Sequence, residues 1–176
     1  MARRTNNDEI ETVEEVQKTF FPGCELEQVD EFEFLDYDRI NLSDLDSDDE
    51  FDGKPYLTEV QSYNYDDDGT EKTNHCVHLY IVDDDAEEYL DIKINLKKDG
   101  DIQEKVHKLS KLYAFATGIM ELENPDSTKG MNQIRRIDLG EFHKFTNDLN
   151  KMVIKVITKS SKTMTYNTFK VLKVSL

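Results

Sequence analysis

The last 26 residues constrain the fold most. Met152-Val-Ile-Lys-Val-Ile-Thr158 and Thr163-Met-Thr-Tyr-Asn-Thr-Phe-Lys-Val-Leu-Lys-Val174 are rich in β-branched and aromatic residues. The short turn Lys159-Ser-Ser-Lys162 separates them. Two such runs across so short a link pair as an antiparallel hairpin, with strands predicted over 151–158 and 164–174. From Lys151 onward there are six lysines and no acidic residue, in a chain of formal net charge -16.

Upstream, alternation predicts three more strands. Residues 55–65 are dense in β-formers and read as the first. In residues 75–82, Val77, Leu79 and Ile81 share one face, and Cys76, His78, Tyr80 and Val82 the other. In residues 89–96, Leu90, Ile92, Ile94 and Leu96 point inward, and Tyr89, Asp91, Lys93 and Asn95 outward. Asp66-Asp-Asp-Gly-Thr-Glu-Lys-Thr73 and Asp83–Glu87 read as loops. Asp101 with Glu104 three residues on predicts a capped helix with its apolar stripe on Ile102, Val106, Leu109, Leu112 or Tyr113, Ala116 and Met120. Residues 127–136 read as a loop, and Leu139, Phe142, Phe145 and Leu149 suit a second, shorter helix.

Strand, strand, strand, helix, strand, strand is the order of a five-stranded OB-fold, a partly open Greek-key barrel with a helix between strands three and four. The fold class is therefore mostly β with helices, as an OB-fold-like barrel over 53–176. The alternative is an α+β open antiparallel sheet with helices on one side. Residues 1–52 read as an acidic N-terminal extension. Asn7 or Asp8 caps a short helix in it, with Ile10, Val13, Val16 or Gln17, and Phe20 on its apolar side, ended by Pro22-Gly23. From Glu25 to Asp52, aromatics and aliphatics are interleaved with acids, and Arg39 is the only basic residue. This composition fits an interaction segment, disordered or docked.

Charge is divided between the halves. Residues 1–90 carry 28 acidic against 6 basic side chains, and residues 91–176 carry 10 against 16. Such asymmetry points to a nucleic-acid partner, an internal electrostatic contact, or both. Two cysteines, Cys24 and Cys76, are too few for a disulfide framework. The first residues lack an apolar signal region, and no apolar run reaches membrane-spanning length. The expected location is the cytoplasm.

If the inward residues fill a barrel, their alternates form a binding face. Tyr80, Tyr89, Lys93, Lys155, Lys159, Lys162, Tyr166 and Lys170 are the candidate nucleic-acid-binding residues. Aromatic rings stack on bases and lysines follow the phosphates, which is what a sequence-tolerant single-strand binder needs. The competing reading of each tyrosine is a half-buried packing residue. Asp66-Asp67-Asp68 and Asp91 would repel phosphate.

The C-terminal half, with Leu149-Asn-Lys-Met-Val-Ile-Lys-Val, its basic turn and Tyr166-Asn-Thr-Phe-Lys-Val, resembles small single-stranded-DNA-binding proteins of phages and mobile elements of Gram-positive bacteria. The resemblance spans roughly residues 55–176. It implies single-stranded DNA as the partner, in phage DNA replication or recombination within the host cytoplasm. Replication or recombination proteins would dock on 25–52. A homodimer is allowed, and no membrane is called for.

Other chemistry finds no purchase. With seven glycines there is no phosphate-cradling loop motif. Asp44 to Glu50 begins like a calcium loop but has Asp49 where glycine is required and Pro55 where a glutamate should fall. His75 points away from Cys76 and His78 on a strand, so a zinc site is poor. No catalytic set stands out; no enzyme, cofactor or metal is expected. The alternative function is an acidic DNA mimic or inhibitor that binds a basic host protein.

Overall fold

The computed structural model describes residues 12–98, 101–102, 105–107, 110–131, 133–135 and 139–176. It is mostly β with a few helices. The main sheet holds β1 (Asp38–Asn41), β2 (Glu50–Leu57), β3 (Gln61–Asp67), β4 (Thr70–Asp83), β5 (Glu88–Asn95) and the closing hairpin. Beyond β5 come two short ladders: β6 (Lys97–Lys98) with β7 (Asp101–Ile102), and β8 (Lys105–His107) with β9 (Gln133–Arg135). The hairpin is β10 (Lys151–Ser160) and β11 (Thr165–Ser175). Three helices lie among the described residues: α1 (Val13–Phe20), α2 (Lys111–Glu123) and α3 (Leu139–Asn147).

The sheet order is β1-β5-β4-β2-β10-β11, with β3 paired to the far half of β4. β1 runs parallel to β5; the other neighbours are antiparallel. The sheet is open, as in the alternative reading rather than the closed barrel. Closure would need β11 along β5, but β1 holds that edge with Arg39 beside Tyr89. The seam is bridged by side chains instead. Asn167 Nδ2 on β11 donates to the carbonyls of Leu42 at 3.1 Å and Leu45 at 2.8 Å, in the turn after β1. α2 packs against both β11 and β5 behind that seam.

The predicted first strand, 55–65, is two strands. At Thr58–Val60 side chains take over part of the ladder: the Thr58 amide still donates to the His78 carbonyl at 3.0 Å, but the His78 amide donates to Thr58 Oγ1 and the Val60 amide to Gln17 Oε1. β2 itself changes partner midway. Residues 50–53 pair with β10, and 54–57 with β4. Gly53 sits at the change, where an added Cβ would lie 2.2 Å from the Val82 carbonyl oxygen. The predicted loop 66–73 is a tight hairpin, with Asp68 and Gly69 both at positive φ.

The long helix begins later than its sequence signature. Asp101–Ile102 pairs with Lys97–Lys98, and Ser110 caps α2, its Oγ accepting from the Leu112 amide. The capping partner Glu104 lies outside the described residues, as do Asn7 and Asp8; Thr12 caps α1, accepting from the Glu15 amide. Inward residues Val77, Leu79, Ile81, Leu90, Ile92 and Ile94 are fully buried under Leu112, Phe115 and Ala116 of α2, with Val16 and Phe20 of α1 in the same core. Gly118 lets α2 approach Val171. Leu42 and Phe51 share that core. Position 52/53 falls inside β2, and β1 of the acidic stretch pairs with β5.

Candidate nucleic-acid interface

The helices cover one face of the sheet; the candidate residues lie on the other. That second face has three parts. Its middle is aromatic. Tyr80 of β4 pairs with Tyr56 of β2, and Tyr89 lies across the neighbouring pair. These rings point outward as expected but are 5% and 6% exposed for Tyr80 and Tyr89. The cover is the acidic segment. Two 3-10 turns, Val29–Glu31 and Glu33–Asp36, lay Phe32 and Phe34 on the tyrosines. Phe34 sits 5.4 Å from the Tyr80 ring and 5.4 Å from the Tyr89 ring, both edge-on. Asp30, Glu31, Glu33 and Asp36 project from this strap. Burial, and then Asp91, raise the Tyr80 hydroxyl pKa well above its usual value. While the strap is docked no base can stack on Tyr80 or Tyr89.

The hairpin forms the second part. Antiparallel register places Lys155 opposite Lys170, and Lys159 opposite Tyr166, on this one face; Lys173 joins them opposite Val153. Lys159, Lys162, Lys170 and Lys173 are exposed, and none has an ion-pair partner among the described residues. Lys155 is half-buried and pairs with Asp48 at 3.4 Å. The Tyr166 hydroxyl is enclosed and has no hydrogen-bond partner among the described residues. Lys162 stands in the loop beside Met164, which is 60% exposed. So Lys155, Lys159, Lys162, Tyr166 and Lys170 are brought together, while Lys93 is three strands away and Tyr80 and Tyr89 are capped.

The third part is a polar pocket of about 240 Å³ over β3, β4, β5 and β1. Arg39, Asn41, Gln61, Tyr63, His78 and Lys93 line it, with Cys76 and Asp91. His78 Nδ1 donates to Asp91 Oδ1 at 2.6 Å, and the Cys76 thiol lies 3.7 Å from His78 Nε2. Sequence reading missed this Cys-His-Asp line because Asp91 is on another strand; only the β4–β5 register sets it diagonal to His78. The signal available was the i, i+2 placement of Cys76 and His78. Burial pushes the Cys76 thiol up to about 11, which leaves little thiolate. Cys76 is also flanked by Gln61 on β3 and Asn95 on β5, so its backbone is committed to ladders instead of stabilising an oxyanion. The line is a polar tie between strands. Among the described residues no group of three or more His, Cys, Asp or Glu could hold a metal ion, and no helix is long and apolar enough to cross a membrane.

No protein-family profile, curated protein or solved structure matches the chain.

Proposed function

We propose that this chain binds single-stranded nucleic acid in a sequence-tolerant way on the β10–β11 face. The observation that carries the reading is the register of Lys155 opposite Lys170, flanked by Lys159 opposite Tyr166. Like charges directly across a ladder destabilise it by ~0.2–1 kcal/mol. Asp48 offsets part of that cost at Lys155; a phosphate backbone lying along the hairpin relieves the rest and takes up Lys159, Lys162, Lys170 and Lys173, which have no ion-pair partner among the described residues. Tyr166 supplies a ring among these cations for one base. The resemblance of this half of the chain adds phage DNA replication or recombination as the setting, with single-stranded DNA as the ligand. On this reading the curled sheet is an opened variant of the five-stranded barrel, with Leu42–Leu45 at its seam. The acidic strap is then an internal competitor that keeps Tyr80 and Tyr89 from bases until Phe32 and Phe34 lift.

The test is anisotropy of labelled oligo-dT, RNA and duplex DNA at low salt, with a Lys159→Glu/Lys170→Glu variant. Oligo-dT binds the native chain and the variant loses at least about tenfold, since two phosphate contacts are reversed. Absence of oligo-dT binding at low salt, or full binding by the variant, sinks the proposal.

A second reading is an acidic protein that docks on a basic partner. It rests on a cleft of about 640 Å³ lined by Asp52, Asp83, Asp84 and Asp85. The cations there are already engaged. Lys151 pairs with Asp52 at 2.8 Å, and Lys54 Nζ donates to the carbonyls of Asn147 and Leu149.

A further inference from the structure

Arg39 is the only basic residue between Glu25 and Asp52, and the hairpin does not use it. The fold takes it out of the acidic surface. Parallel pairing of β1 sets Arg39 beside Tyr89 and Asn41 beside Asp91, so both reach the 240 Å³ pocket. Lys93 enters from β5, with its ammonium 3.9 Å from the centre of the Tyr63 ring. Among the described residues the one carboxylate in the lining is Asp91, which already accepts from His78. Arg39 Nη1 stands 3.8 Å from Asp91, beyond the ~2.7–2.9 Å of a charge-assisted hydrogen bond. The guanidinium is 56% exposed on its side chain and has unused donors. The pocket thus holds two cations against one spoken-for anion, and one of those cations, Arg39, comes from the stretch of the chain that carries 28 acids against 6 bases.

Surplus positive charge in a concave site focuses an anion there despite the surrounding field. The donors are a planar guanidinium fork, an ammonium held on an aromatic face, and the amides of Asn41 and Gln61. This set offers more directions than a carboxylate can use, and it suits the three terminal oxygens of a phosphate monoester. The geometry points to this pocket as a binding site for a phosphate monoester, either the terminal phosphate of a nucleic-acid strand or that of a free nucleotide. The inference deepens the nucleic-acid reading and rests on it for the strand-end ligand. The pocket is below the ~300–1,000 Å³ of sites that enclose drug-sized ligands, so it holds a phosphate with part of its nucleoside. β3 runs on from Gln61 and Tyr63 to Asp66 and Asp67, whose carboxylates disfavour a continuous backbone passing through. A strand end meets less of that repulsion than a strand middle.

The experiment compares short oligo-dT carrying a 5′-phosphate, a 3′-phosphate or hydroxyls only, with dTMP as competitor, on the full chain at low salt. A terminal phosphate tightens binding about tenfold, the worth of one charge-assisted bidentate contact. Arg39→Ala and Lys93→Ala each erase that preference, Arg39→Lys restores part of it, and circular dichroism shows all three folded. Lys159→Glu/Lys170→Glu weakens all three strands alike and keeps the preference. Competition by dTMP that requires Arg39 assigns the free nucleotide as ligand; a preference without competition assigns the strand end. If all three strands bind equally and dTMP does not bind, the pocket proposal is overturned and the hairpin reading stands. If no strand binds but dTMP binds through Arg39, the pocket stands and the hairpin reading falls. Binding of neither overturns both.

Discussion

Single residues carry two constraints that can be measured directly. Gly53 has no room for a side chain, since a Cβ meets the backbone oxygen of Val82, and that oxygen is fixed in the sheet. Gly53→Ala therefore lowers stability by about 3 kcal/mol, at the upper end of overpacking costs because backbone must yield. Urea unfolding with an unchanged m-value checks it. Cys76 sets a pH dependence. Its folded value, about 11, lies above the ordinary 9.0 because burial disfavours the thiolate. Between those values the unfolded chain has lost the thiol proton and the folded chain keeps it. The contribution to stability is complete below pH 9 and falls as pH rises toward 11, by up to about 1.4 kcal/mol per pH unit. Cys76→Ala flattens that arm relative to the native chain in urea titrations across the alkaline range. Residue identities of this kind were legible only in part. The alternation gave Tyr80 and Tyr89 the outward direction, but direction along a strand does not say what lies on top.

The strap is where a local pattern and its environment part. In sequence, Phe32 and Phe34 among Glu31, Glu33 and Asp36 fit a segment awaiting an external partner. In the fold the partner is the chain's own Tyr56, Tyr80 and Tyr89. Two short 3-10 turns hold the backbone with few hydrogen bonds, so side-chain burial holds the strap down. Phe34→Ala removes the ring that touches Phe32, Tyr56, Tyr80 and Tyr89 and costs about 3 kcal/mol. Hydrogen exchange should speed up over 29–37 before it does in β4 and β5, while α2 stays protected. Equal acceleration across the whole sheet would mean the strap is part of one cooperative unit. The hairpin behaved oppositely. Its strands, turn and charge were all legible in sequence, because antiparallel neighbours a few residues apart need no distant information.

At the scale of the whole molecule, charge is segregated rather than mixed. Acids dominate the surface built from residues 12–90, and Lys159, Lys162, Lys170 and Lys173 stand exposed on the closing hairpin. Salt therefore acts in two directions. Added salt screens self-repulsion of a chain of net charge -16 and raises the melting temperature. The same salt weakens oligo-dT binding, with a slope of log K against log salt of about −3 if Lys159, Lys162, Lys170 and Lys173 release counterions from a single strand. A flat binding curve would remove the lysines from the interface. The sequence by itself determined the strands with clean alternation, the inward core residues, the basic hairpin and the split of charge. Each depends on neighbours two to four residues apart, or on composition. Only the tertiary structure decided that the sheet stays open, that the acidic segment lies on the tyrosines of β4 and β5, and that Arg39 faces Lys93 across a pocket. Those outcomes follow from which strand wins the free edge of β5. β1 and β11 are both candidates for that edge, and the choice turns on packing and chain connection between residues far apart in sequence.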